Sequence, residues 1–377
     1  MPLRQQLSDA WRHIQGDLLP WLRDEVGPLT AEHERIVTVL GFVRVEAHVP
    51  MRDGGPGRRL EDRHAIARGY LAKSVLGLPE TRMLIERLQV DATLRRLCGW
   101  RHAGELPSES TFSRAFAELA EGEVATRMHE ALVKGTLGQQ LVGHLSIDAT
   151  AIEAREKPVP SEKPPPAPKR KRGRPKKGEV VPPKEPRRLE RQATMTHAQM
   201  LEDLPAHCSV GAKRNAKGYK ETWTGYKLHI ATADGDIPVA CILTSAHVHD
   251  SQVAIPLMTT ASRRVTSLYD LMDSAYDVPE IAAHSRELGH VPIIDHHTRR
   301  GEKAAIEAEA RAKQKAGYTL AEDVRYRQRS SSERVNGNLK DNCGGKHVRV
   351  RGPAKVMCHL MLGIVVVTVE QLMRLIS

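Results

Sequence analysis

Aromatic side chains are scarce in this 377-residue sequence: seven Tyr, four Trp and three Phe, 4% together. That excludes a stacking platform for bases as the main mode of binding. Cysteine is scarce too. The five residues (Cys98, Cys208, Cys241, Cys343 and Cys358) are odd in number and form no CxxC pair, which argues against a disulfide framework and a cysteine zinc site. A reducing cytoplasm fits this usage. The opening MPLRQQLSDAWRHIQ lacks the apolar core of a signal peptide. The most apolar stretch, Leu360 to Val369, is too short to span a bilayer and is followed by Glu370 and Arg374. It reads as a buried C-terminal helix, and no membrane partner is expected.

Positive charge, by contrast, is plentiful and unevenly spread. The net charge is +11, and Lys157 to Arg191 holds thirteen Lys and Arg against four Glu, so +9 of it lies in that segment. Ten of the first 30 residues there are proline, with almost no large apolar side chains, so no packed element is expected. At its centre stands KRKRGRPKKGE. Arg172-Gly173-Arg174-Pro175 matches the core of the AT-hook, a peptide that lies in the narrow minor groove of A·T-rich DNA. Glycine lets the backbone reach the groove floor, and both arginines meet its enhanced negative potential. The plainer alternative is a solvated basic linker.

Residues 1–137 read as helical. Ala65 to Leu78, Thr81 to Val90 and Asp91 to Cys98 repeat apolar residues at three- and four-residue spacing, broken at Gly77, Pro79, Gly99 and Gly104. In LPSESTFSRAFAEL, Pro107 and Ser108 suit a helix start, and Phe112, Phe116 and Leu119 form the buried stripe. Helix, short glycine-containing turn and second helix, with Ser110, Thr111, Ser113 and Arg114 outward, resemble a helix-turn-helix. A mere packing unit has the same pattern.

From Leu141 the period changes. HLSIDAT reads as a short strand with Asp148 near its end, and WTGYKLHIATADGDIPVACILTSA as a hairpin turning at Asp234-Gly235-Asp236. Asp250 suits a helix N-cap. His247 and His249 have ligand spacing but no third partner, so an orienting role is expected. Leu268 to Met272 is a strand ending at Asp273, Val278 to Leu288 a helix, and His290 to Asp295 a further strand. Arg299 to Lys315 is an exposed helix at most.

Then comes YRQRSSSERVNGNLK. On a 3.6-residue helix Tyr326, Arg329, Glu333 and Lys340 fall within about 60°, and Val324, Val335 and Leu339 cluster opposite. Gly337, on the polar side, leaves a gap in the side-chain cover. Taken alone, a carboxylate among cations is a solvated helix with ion pairs. Two aspartates upstream, each closing a strand, change that reading.

Asp148, Asp273 and Glu333 occur in the order strand, hairpin, helix, strand, late helix, the order of an RNase H-like core. The spacing Tyr326-x2-Arg329-x3-Glu333-x6-Lys340 resembles the Y-x2-R-x3-E-x6-K signature of a branch of bacterial insertion-sequence DDE transposases. SIDAT, GYKLHIAT, HVHDS and MDSAYD are similar to that family's other blocks, and ARGYLAKSVLGLPETRMLIERL, LRRLCGW and PSESTFSRAF to its N-terminal domain. The likeness implies an α/β fold: a helical N-terminal domain (1–137) for DNA-end binding or dimerisation, then an RNase H-like catalytic domain (138–377) interrupted by a basic Pro-rich, AT-hook-like insert (157–199).

It further implies a metal-dependent enzyme that binds terminal inverted repeats, cleaves DNA and transfers the strand. Asp148, Asp273 and Glu333 would hold two Mg²⁺ ions about 4 Å apart, with Mn²⁺ able to substitute. Tyr326, Arg329 and Lys340 would contact the DNA backbone, and the partners would be double-stranded DNA and a second copy of the chain on it. Asp277 and Asp295 compete with Asp273 for the second carboxylate role; Asp273 is preferred because it directly follows the apolar strand. A silent DNA-binding repressor and a nuclease without strand transfer remain the alternatives.

Overall fold

Proline and glycine punctuate the helical half. In the computed structural model, residues 2–50, 62–160, 186–214, 218–296 and 302–376 are described; Arg172, Gly173 and Arg174 lie outside them. Helix α1 (Leu3–His13) runs into a π-helical turn, Ile14–Leu18, ahead of α2 (Leu19–Val26). Pro20 sits in the first turn of α2, where its missing N–H interrupts the regular ladder. Next come α3 (Ala31–Val43), α4 (Arg63–Val75), α5 (Thr81–Val90), α6 (Ala92–Cys98), α7 (Glu109–Glu121) and α8 (Val124–Leu137). Asp62 caps α4, accepting from the backbone of His64 at 2.8 Å, and Asp91 caps α6 through Leu94 at 2.9 Å. Gly99 ends α6 at φ +116°. Phe112, Phe116 and Leu119 of α7 are buried, as their spacing requires.

Strand β1 (Leu141–Glu153) follows, then α9 (Arg188–Gln192), α10 (His197–Glu202), β2 (Ser209–Arg214), β3 (Lys220–Ala233), β4 (Ile237–Ser245) and α11 (Ser251–Ser262). After them run β5 (Thr266–Met272), α12 (Pro279–Glu287), β6 (Val291–Ile294), α13 (Lys303–Lys315), α14 (Ala321–Tyr326), α15 (Ser330–Asn342) and α16 (Pro353–Arg374). The sheet is mixed. β4, β3 and β1 are antiparallel neighbours, β5 and β6 continue parallel to β1, and β2 pairs with the first half of β3.

Three elements differ from the sequence expectation. The end of Lys157 to Arg191, expected to hold no packed element, forms most of α9, because Leu189 is buried with Gln192 against α11 and α12 while Arg188 and Arg191 bond Asp203. β1 is 13 residues long, so Asp148 lies within the strand and not near its end. Its parallel ladder with β5 stops at Ser146, while its antiparallel ladder with β3 continues to Glu153, and the second partner carries the strand past the aspartate. The carboxylate helix is also broken: a 3₁₀ turn, Arg327–Arg329, separates α14 from α15. A 3₁₀ turn advances about 120° per residue, so the helical phase is lost there. Val335 and Leu339 are buried, but Val324 is 52% exposed, not part of the apolar side.

α16 is the spine of the core. Its apolar stretch packs against α3, α4, α7, α8, α15 and β4, joining helical half and sheet in one hydrophobic cluster. Among the described residues it is the one helix long and apolar enough to cross a bilayer, and most of it is buried inside the molecule. All five cysteines are buried free thiols.

Candidate active site

The floor of the site follows from strand register. Ser146 of β1 is paired with Leu271 of β5 in the parallel ladder. The ladder ends there; Asp148 lies two residues further along β1, Asp273 two residues past Leu271 and just after β5, and the charge of Asp273 reaches Asp148. Asp273 turns into a 3₁₀ turn there and accepts from the backbone N–H of Ala275 at 2.9 Å.

Both aspartates are held against ionisation. Burial, with the charge of Asp273 adding to it, pushes the Asp148 carboxyl up to about 6. Burial also raises Asp273, helped by Asp250 and Asp295 and opposed by the Ala275 N–H and Arg329. Tyr276, fully buried, has a hydroxyl with no hydrogen-bond partner, and the same three carboxylates (Asp250, Asp148, Asp273) lie in its electrostatic surroundings. Asp250 stands at the N-cap position of α11, but its side chain caps nothing; it accepts from Lys227 Nζ at 2.7 Å.

α15 crosses this floor on matched spacings. Ser332 Oγ lies 3.0 Å from Ser146 Oγ, and Asn336 Nδ2 donates to Asp148 Oδ2 at 3.0 Å. Two strand residues span about 6.6 Å and four helix residues about 6 Å, so Ser146/Asp148 and Ser332/Asn336 can pair in step. Ser146 and Ser332 both donate to the Arg329 carbonyl at 2.9 Å, which ties the 3₁₀ turn to β1. The close approach of α15 to α16 depends on Gly363, where a Cβ would meet Leu339 Cδ1 and the Cys343 carbonyl oxygen at 2.8 Å.

Glu333 does not meet the aspartates. It lies about 60° round the helix from Asn336, its side chain is 57% exposed, and it accepts from Arg329 Nη2 at 2.7 Å. Among the described residues no three His, Cys, Asp or Glu side chains converge closely enough to hold a metal ion. The floor alone holds two neighbouring carboxylates raised by burial and by nearby carboxylates, beside an orphaned hydroxyl. As a three-carboxylate set the residues do not close.

The remaining sequence candidates surround the floor. Arg329 stacks 5.9 Å from the Tyr326 ring centroid, and Tyr326 feels Asp295 and Asp273. Lys340 is half-buried, and burial together with nearby Lys213 lowers its pKa. A Cβ at Gly337 would meet nothing within 4 Å, so the gap beside Lys340 is real. Asp277 is turned to His296 at 3.2 Å. His247 and His249 bond Ser209 and Ser251 at 2.9 and 2.8 Å. Sequence reasoning missed Asn336 and Tyr276. Their signal was present but mute: Asn336 lies three residues after Glu333, and Tyr276 lies inside MDSAYD.

Residues 143–369, more than half of the chain, match the family model of the transposase DDE domain, and residues 30–118 match a transposase domain (DUF772). No curated protein and no solved structure matches the chain. With a mixed sheet that leaves two half-buried aspartates near each other at the end of the β1–β5 ladder, and with both halves of the sequence matched to transposase domains, the chain belongs to the transposase DDE domain family.

Proposed function

We propose that this chain is the transposase of an insertion sequence, binding the element's terminal inverted repeats, cleaving the DNA ends and joining them to a target. The observation that supports this best is the Asp148–Asp273 pair, one within β1 and one just after its parallel neighbour β5, under a helix that donates to Asp148. Two raised carboxylates side by side stabilise no fold, but they suit hard cations. The strand order β4–β3–β1–β5–β6, antiparallel then parallel, supports an RNase H-like reading of residues 138–377. Residues 1–137 we assign to DNA-end binding or dimerisation on duplex DNA in the bacterial cytoplasm.

Asp148 and Asp273 would hold divalent cations, Mg²⁺ or Mn²⁺, with Glu333 the third ligand of the DNA-bound enzyme. Such cations activate the attacking water or 3′-hydroxyl and neutralise the leaving oxygen. The chain's own residues do the rest. Asn336 keeps Asp148 oriented and favours its charged form. Arg329 offers a planar fork to a phosphate, Lys340 a point charge, and Tyr326 a phenol beside them. A phosphate on Arg329 competes with Glu333 for the guanidinium, so DNA binding itself releases Glu333 toward the floor. Arg172, Gly173 and Arg174 would follow the minor groove nearby; deleting Lys169 to Lys177 should weaken DNA binding and flatten its salt dependence.

The test is Mg²⁺-dependent nicking and joining of a duplex that carries the element ends, with Asp148→Asn and Glu333→Gln inactive. Retained cleavage in either variant contradicts the assignment. One observation favours a second reading, a DNA-binding repressor without catalysis: the Glu333 carboxylate is engaged by Arg329 and away from the aspartates. Strong, salt-sensitive binding with no nicking in Mg²⁺ or Mn²⁺ would establish that reading instead.

A further inference from the structure

The β2–β3 ribbon buries too little to be part of the core. Val210, Ala212, Lys213, Arg214, Lys220, Glu221 and Thr222 are all exposed. Its root is nevertheless built with care. Gly211 faces Trp223 across the strands, and a Cβ there would overlap the indole ring. The indole N–H donates to the Tyr226 carbonyl at 3.0 Å, and Tyr226 Oη donates to Glu156 at 2.6 Å. An aromatic ring laid over a cross-strand glycine pins register and twist.

The register then sorts the side chains onto two faces. Ser209, Gly211 and Lys213, opposite Gly225, Trp223 and Glu221, share the inner face, where Lys213 and Glu221 lie 3.7 Å apart. Val210, Ala212 and Arg214, opposite Thr224, Thr222 and Lys220, share the outer one. That outer face carries Val210, small side chains and Thr residues, two cations and no carboxylate. Arg214 and Lys220 are directly opposite each other, an arrangement of like charges that disfavours strand pairing. An anion lying across both would relieve that repulsion. Tyr219, next to Lys220, is 70% exposed. On the inner face Lys213 is within electrostatic reach of Lys340, which in turn senses Asp148, so the ribbon continues the cationic flank of the active site.

We propose that the outer face of the β2–β3 ribbon docks the sugar-phosphate backbone of duplex DNA, on the side of the ribbon opposite Lys213. The inference rests on the reading of this chain as a DNA transposase and adds the surface that holds the duplex. Phosphates spaced along one strand would meet Arg214 and Lys220 together, and the small residues Ala212 and Thr222 would let the backbone lie close.

The experiment uses the full chain in EDTA, with a fluorescein-labelled mixed-sequence duplex, and measures affinity across a KCl series. Arg214→Gln with Lys220→Gln should bind on the order of tenfold more weakly, with a salt slope shallower by about 1.8, as for two lost phosphate contacts. Its melting temperature should be unchanged or higher, because the like-charge pair is gone. If that double variant fails to fold, Lys220→Gln alone should flatten the slope by about 0.9. The charge-conserving exchange Arg214→Lys with Lys220→Arg should keep the wild-type slope. An unaltered slope and affinity in the double variant, while Lys340→Gln still loses binding, would overturn the ribbon and leave the transposase reading standing. Absence of duplex binding by the wild-type chain would overturn both.

Discussion

The two halves of the candidate site are built on different principles. The floor, Asp148 and Asp273, is set by backbone: one lies within β1 and the other just after β5, held by Asn336 Nδ2 and by the Ala275 N–H. The third carboxylate, Glu333, is fixed only by a side-chain contact with Arg329 on a half-exposed helix flank. Such i,i+4 pairs contribute only about 0.3–0.5 kcal/mol when exposed. A floor set by strands and a flank held by one side-chain contact suit a site completed by its substrate.

Breaking the floor should have the largest effect. Asp148→Asn and Asp273→Asn are each expected to lower Mg²⁺-dependent cleavage by on the order of 10³-fold or more, read from initial nicking rates. Breaking the flank should separate binding from chemistry. Glu333→Gln should lose cleavage to a similar degree but keep wild-type duplex affinity in EDTA, whereas Arg329→Gln should lose both.

A smaller effect sharpens the link between the halves. Asn336→Ala removes the donor that favours ionised Asp148. It should slow cleavage roughly tenfold at neutral pH, and move the acid limb of the pH–rate profile upward. An unmoved profile would make Asn336 a packing residue only.

The smallest effect is on stability and has the opposite sign to the first. The folded pKa of Asp148, about 6, is above the ordinary carboxylate value, so the fold binds this proton more tightly than the unfolded chain does. The charged form therefore destabilises the fold, fully above pH 6 and progressively less as pH falls from 6 toward 4. In EDTA, Asp148→Asn should stabilise the chain by about 2 kcal/mol at pH 7.5, a gain that shrinks toward pH 4. Denaturant melts at the two pH values check it.

What the sequence revealed follows the same division. The aspartates were legible as candidates because one lies in and the other directly after an apolar strand, a local pattern. The direction of Glu333 was not legible, because it depends on the 3₁₀ turn at Arg327–Arg329 and on the angle at which α15 crosses β1. The turn also exposed Val324, which a continuous helix would have buried. Asn336 is one polar residue among several on α15, and only the strand beneath it reveals a role. β2, six residues rich in small and charged side chains, carries no apolar alternation; its partner strand is what makes it a strand.

Mn²⁺ binding, followed by electron paramagnetic resonance with and without duplex, tests the central claim most directly. Wild-type chain should bind Mn²⁺ weakly alone and more tightly on DNA; Glu333→Gln should lose the tightening, and Asp148→Asn should lose binding in both conditions. Wild-type Mn²⁺ binding in Asp148→Asn, or tightening that survives in Glu333→Gln, would contradict it.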